Sequence, residues 1–421
     1  MSSNTTTWKR YLSPFFLSDK VHERGIVWCF KDGLRWADQQ IQGPRRYFIA
    51  PIMRPIMFFI DISVFLFSLS SFLSDRKPKK VVLGVWDYKL VPWSVGDFLV
   101  FIETLSVLKL RHNADKVDVC VVCDSDNPAG NRGYKNINSS NFRYYLFNLL
   151  PIVNTSPYLG SLFQFDSRSE FHSFLKQNIN NYEIYPSVSD QLKETYNLYG
   201  GATLKEIRDF YQERGFIPYL SIDDYHRNWA YEFYQTKAKG LLPVSVSMRN
   251  RPDGPDRNAD RHAWLDFFNL CASAFPDVVF VVVGVREEVF EELRGCSNVI
   301  IAKDHGSTVA DDLALIRTSL LYMGMESGVA VIAIFSDVPY ILFGRLPEEV
   351  ERKGLNPGAN WDFATQYQKQ RYTDFNITPD SLLNEFTALY SQLDIDEWQR
   401  KASAYQSTPY TFVSWGPNKT V

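Results

Sequence analysis

An α/β fold of two Rossmann-like halves is predicted for this 421-residue chain by three observations. Residues 81–86, 117–123, 242–248 and 278–283 are short, valine-rich apolar runs, the composition of strands buried on both faces of a parallel sheet. Between such runs lie stretches of helical periodicity; 97–111 carries apolar residues at 98, 99, 101, 102, 105, 108 and 110. Strand, helix, strand is how a parallel sheet begins, and the alternation starts afresh after Lys237-Ala-Lys-Gly240, in a chain too long for one ordinary core.

In the first half, helices are also expected near 187–199 and 203–214. In the second, a charged loop at 249–261 leads into a helix ending near 274. Strands at 298–302, 320–323 and 339–343 and helices at 311–317 and 327–335 follow. Helices at 378–393 and 395–406 close the chain, with room to cross back to the first half. The divisions are an N-terminal segment, 1–78, two halves, 79–237 and 238–395, and a tail, 396–421.

Aromatic residues, at 15%, are abundant, as in chains that bind sugars or lie on a membrane, and as in large, well-packed cores. A net charge of −3 gives no overall sign of a nucleic-acid partner. It hides an asymmetry: residues 1–80 hold 13 Lys and Arg against 6 Asp and Glu, so they carry +7 and leave −10 on the rest. A basic, aromatic segment ahead of an acidic body reads as an anchor to anionic lipid or to a partner. Its apolar run, 55–73, is 19 residues long but holds Asp61, and cations flank it on both sides (Arg45, Arg46, Arg54; Arg76, Lys77, Lys79, Lys80). That pattern suits a helix lying in the membrane interface better than a span; a buried helix is the alternative. No secretory signal precedes it.

The five cysteines, Cys29, Cys120, Cys123, Cys271 and Cys296, lack framework spacing, and the pair at 120 and 123 lies in an apolar strand, where it serves packing. The histidines show no metal spacing, and no cofactor motif is present.

Three segments carry chemistry. The first is Pro92-Trp-Ser-Val-Gly-Asp97-Phe-Leu, after the first strand, where Asp97 opens a helix at the carboxyl end of the sheet. Taken alone, a Gly-Asp at this place favours a simple helix cap. The second is Met323-Gly-Met-Glu326-Ser327-Gly328-Val-Ala-Val331, between a strand and an apolar helix. Exposed amides at that helix start suit a diphosphate, with glycine allowing close approach. The third leaves the first strand of the second half, with Ser247, Arg249 and Arg257, whose guanidinium groups suit phosphate oxygens; a self-paired surface loop is the alternative.

The first two segments resemble the Ser-x-Gly-Asp-x-Leu and Asp-Ser/Thr-Gly-x-x-His motifs of the heptosyltransferase-like family 9 of bacterial glycosyltransferases. The third is similar to a pattern in bacterial surface-polysaccharide transferases. The resemblance implies the GT-B architecture, two Rossmann-like domains facing a cleft, with an N-terminal helical membrane-associating extension. It implies an acceptor-side first domain in which Asp97 is the general base. It implies a second domain that holds a nucleotide-sugar donor through Ser247, Arg249, Arg257, Glu326, Ser327 and Gly328. Glu326 stands where the family has Asp and Val331 where it has His, so the His role is not carried over.

The expected activity is inverting, metal-independent transfer to a glycan or lipid-linked glycan in cell-surface polysaccharide or lipopolysaccharide synthesis. It would take place at the cytoplasmic face of the membrane, with residues 45–80 as the membrane contact and no cofactor. Three rivals stand beside it. A nucleotide-sugar 2-epimerase and a non-catalytic glycan-binding protein share the fold. Asp124-Ser-Asp126 matches the metal-holding Asp-x-Asp of GT-A transferases, or forms a plain turn before Asn127-Pro128.

Overall fold

The computed structural model describes residues 81–405, apart from 124–127, 129–136, 195, 197, 199–200, 253–254, 345–359 and 372–376. The N-terminal segment and the Asp124–Asp126 pair therefore lie outside the described residues. No described helix is long and apolar enough to cross a membrane.

The first half runs β1 (Val81–Asp87), α1 (Val95–Arg111), β2 (Lys116–Val122), α2 (Phe142–Leu149), β3 (Leu159–Phe165), α3 (Arg168–Asn178), β4 (Glu183–Tyr185), α4 (Val188–Lys193), α5 (Gly201–Arg214) and α6 (Asp224–Phe233). Its four strands are all parallel, in the order β3-β2-β1-β4. The second half runs β5 (Leu242–Ser247), α7 (Arg261–Ala274), β6 (Val278–Val283), β7 (Val299–Ile301), α8 (Val309–Thr318), β8 (Leu321–Met325), α9 (Val331–Ile334), β9 (Tyr340–Phe343), β10 (Gln368–Arg371), α10 (Pro379–Tyr390) and α11 (Ile395–Tyr405). Its six parallel strands lie in the order β10-β9-β8-β5-β6-β7. Counted within the half, that is the doubly wound dinucleotide-fold order, and it reverses between β5 and β8.

Alternation along β1 shows why the strands are buried on both faces. Val82 and Trp86 point into the larger core, whereas Leu83 and Val85 join Cys120, Val122, Phe171 and Leu175 on the other side. The larger core includes α1, α6, α8 and one face of each sheet, so the halves share apolar burial. Trp86 stacks on Phe98 with ring centroids 4.8 Å apart; each such fully buried aromatic is worth about 2–3 kcal/mol of apolar transfer. The link between halves is pinned where Tyr234, fully inside this core, donates its hydroxyl to the Leu315 carbonyl at 2.6 Å. The other face of the second sheet is covered by α7 and α10 through Trp264, Phe267, Phe268, Leu382 and Phe386. The two closing helices rest on this half, with Trp398 of α11 donating to the Thr318 carbonyl at 3.2 Å.

Two expectations need correction. The helix expected at 327–335 is a turn followed by the four-residue α9. An apolar run of that length does not distinguish a helix from a buried turn. So short a helix has little dipole, and the amide-end argument for phosphate binding falls away. The helix expected near 187–199 is the shorter α4, which stops where Glu194 turns left-handed at φ 54°; β3, β4, β10, α2, α3 and α6 went unread in the sequence. Cys120 and Cys123 are buried and unbridged, as their apolar setting predicts, and burial raises the Cys120 thiol well above its ordinary range.

Candidate functional site

Ser247 is the last residue of β5 and pairs with Gly324 of β8, at the reversal of the second sheet. The pairing is close: a Cβ on Gly324 would lie 2.2 Å from the Ser247 carbonyl oxygen, so only glycine fits. Ser247 Oγ lies 2.9 Å from Ser327 Oγ, directly beyond β8, and 3.4 Å from the Met325 carbonyl. It also bonds the hydroxyl of Tyr322, a fully buried residue of β8.

The loop after β5 folds back on itself. The Arg249 carbonyl accepts from the Ala259 amide at 2.8 Å, and Asn258 braces Arg251 twice, at 2.9 and 2.8 Å. The self-paired reading thus describes part of this loop. Arg257 turns toward β8, where its Nη2 donates to the Glu326 carbonyl at 3.5 Å. Arg249 is 9% exposed, a cation drawn inward at the end of β5. Glu326 is held by its own amide, which donates to the Phe343 carbonyl at 2.8 Å. His262, at the start of α7, is exposed.

The first-half segment meets this one. Ser94 caps α1, its hydroxyl accepting from the Asp97 amide at 3.3 Å, so Asp97 sits in the first turn, half-buried. The preceding Gly96 lies against Gly328: a Cβ on Gly96 would be 3.1 Å from the Gly328 Cα, and a Cβ on Gly328 would be 3.0 Å from the Gly96 nitrogen. Two backbones pass closely enough that a side chain on either would push the other back by a few tenths of an ångström. Segments about 230 residues apart in sequence therefore touch, with Asp97 next to the contact.

Sequence reasoning missed a second polar group at the carboxyl edge of the first sheet. Asp87 ends β1 fully buried, and Arg168, from the start of α3, reaches it with Nη2 at 2.8 Å. The same Nη2 lies 3.2 Å from Glu194, which Lys89 pairs at 3.0 Å. Burial pushes the Asp87 carboxyl up to about 6, against the pull of Arg168 and of the Lys89 amide, which donates to it at 2.9 Å. These contacts brace the loop between β1 and α1, which leads into the helix turn that carries Asp97. Tyr322 was missed too; its signal was a hydroxyl inside an otherwise apolar strand, a group that needs a partner when buried.

Among the described residues, no group of three or more His, Cys, Asp or Glu side chains is placed to hold a metal ion.

No protein-family profile matches the chain, and neither does any curated protein. Among solved structures it is similar to the Escherichia coli ADP-heptose lipopolysaccharide heptosyltransferase II, with TM-score 0.47, 11% identity and coverage of 74% of this chain and 99% of that one. It is also similar to the family 9 glycosyl transferase of Veillonella parvula, with TM-score 0.40, 13% identity and coverage of 78% and 97%. A UDP-N-acetylglucosamine 2-epimerase-like protein of Listeria monocytogenes follows, with TM-score 0.31, 11% identity and coverage of 77% and 91%.

Proposed function

We propose that this chain is a glycosyltransferase of GT-B architecture that moves a sugar from a nucleotide-sugar donor to a glycan or glycolipid acceptor. The observation that carries this reading is the meeting of Gly96 and Gly328. It brings the segment that carries Asp97 against the segment that carries Ser327, at the reversal of the second sheet, where ligands of doubly wound folds bind. Asp97 is the base that draws the proton from the acceptor hydroxyl. Arg249, Arg257 and Ser327 meet the donor diphosphate and offset the charge left on the nucleotide. Inversion and a metal-independent course go with this assignment, as does a role in cell-surface polysaccharide synthesis.

The direct test is a thermal-shift series with UDP, GDP, ADP, CMP and dTDP. A ligand held only by the folded state adds about 2.7 kcal/mol at a hundred times its Kd, so one nucleotide should raise the melting temperature by several degrees. A chain that binds none is a scaffold or glycan-binding protein. One that turns over a nucleotide sugar without any acceptor is an epimerase.

The place of action belongs to the same proposal: the cytoplasmic face of a membrane, held through residues 45–80. Deleting residues 1–75 is expected to leave a soluble protein that still binds nucleotide. The intact chain should bind anionic vesicles less well as salt rises, because Arg and Lys supply part of the attraction. Phe58, Phe59, Phe65, Phe67 and Phe72 would supply a salt-insensitive remainder. Sedimentation with vesicles reads both effects; a truncated chain that aggregates, with a full-length chain indifferent to vesicles, assigns the segment to the protein interior instead.

A further inference from the structure

We propose that Tyr322 is a positioning residue for the donor diphosphate, setting the direction of a hydroxyl chain that ends on Ser327 and aims its proton at a phosphate oxygen. The inference rests on the reading of this site as the donor site.

The chain runs from core to surface. Tyr322 is fully buried, Ser247 is 1% exposed and Ser327 is half-buried. Tyr322 Oη bonds Ser247 Oγ, and Ser247 Oγ lies 2.9 Å from Ser327 Oγ. A serine hydroxyl has one proton and two lone pairs, so three linked hydroxyls admit more than one direction. The phenol is the stronger acid and decides among them. Burial pushes Tyr322 up to about 12, against the pull of Ser247 and of Ser327, so the phenol is protonated and able to donate. Once Tyr322 donates to Ser247, Ser247 directs its own proton to Ser327 Oγ or to the Met325 carbonyl 3.4 Å away. Ser327 then has no need to spend its proton on Ser247 and can turn it outward. Successive bonds polarise one another, and the ligand here is an anion, so the final donor gains most.

Without the phenol, Ser247 Oγ becomes the open acceptor and Ser327 satisfies it by turning its proton inward, away from the ligand. This is why a side chain that touches no ligand should govern affinity.

The test is calorimetric titration of the whole chain with UDP, GDP, ADP, CMP, dTDP and inorganic pyrophosphate. Tyr322→Phe keeps the ring and removes one oxygen. It is expected to weaken pyrophosphate, and whichever nucleotide binds the wild type, about tenfold. Ser327→Ala should cost about the same, and the double variant no more than Ser327→Ala alone, because Tyr322 acts only through that serine. The parent nucleoside, which lacks phosphate, should bind all variants equally, an outcome a merely structural loss would not give. Ser247→Ala breaks the chain at its middle and should repeat the result if Tyr322→Phe folds poorly. Full affinity in both Tyr322→Phe and Ser247→Ala, or additive losses in the double variant, overturns this inference while the donor site stands. A wild type that binds none of the probes overturns both.

Discussion

Replacing Asp97 by asparagine is expected to lower sugar transfer at least about a hundredfold while leaving the fold and nucleotide affinity intact. A general base contributes about two to four orders of magnitude, and asparagine keeps the shape of the side chain but accepts no proton. The competing role is local. Asp97 lies in the first turn of α1, where a negative charge stabilises a helix by about 0.3–1 kcal/mol. Ser94 already caps that turn through the Asp97 amide, and the amide is kept in the variant. If the carboxylate only serves the helix, the variant should lose a little melting temperature and nothing in turnover. If it is the base, turnover falls and the melting temperature holds. Initial rates with the nucleotide sugar chosen by the thermal-shift series, beside melting curves of the same samples, separate the two. Near-normal turnover would remove Asp97 from the chemistry.

Central strands were legible because burial on both faces leaves a composition that little else produces. Residues 278–283 read Val-Val-Phe-Val-Val-Val and form β6 as expected. Edges were not legible. β10 reads Gln-Lys-Gln-Arg, with no apolar residue, and is a strand because its register on β9 is fixed from outside. Gln368 shows how: its amide donates to the Ser336 and Val338 carbonyls at 2.7 and 3.1 Å, bonds that exist only once the β8–β9 connection has folded. β3 was missed for a related reason, since its half-exposed residues carry neither a clean alternation nor a continuous apolar run.

The site divides in the same way. Ser247, Ser327 and Gly328 were readable because their positions follow from where strands end, and strand ends are local. The partners that set their geometry were not. Nothing around position 322 says that its hydroxyl reaches Ser247, because that bond crosses between strands. The Asp87–Arg168 pair likewise joins β1 to α3 across the end of β2. Local pattern finds the groups that face a ligand; the groups that hold them come from topology.

Arg249→Ala is expected to weaken nucleoside-diphosphate binding about tenfold to a hundredfold, more than any other single change in the second half. A hydrogen bond to a charged group is worth about 1.5–3 kcal/mol, and tenfold in affinity is about 1.4 kcal/mol. Arg249 should lie at the upper end, because it is 9% exposed and so acts across little water. Arg257 is more open, and its Nη2 is directed at the Glu326 carbonyl, so Arg257→Ala should cost less. Removing a buried side chain also leaves a gap, and chemical denaturation of the same variant measures that separately. Arg249→Lys sharpens the assignment. It keeps the charge and much of the volume but loses the planar fork that meets two phosphate oxygens, so affinity should fall between wild type and alanine. If charge alone matters, lysine restores binding fully. Unchanged affinity in Arg249→Ala moves the donor site elsewhere in the chain. A strict need for Mn²⁺ or Mg²⁺, abolished by Asp124→Ala, would move it to the first half and to the paired carboxylates of the metal-dependent reading.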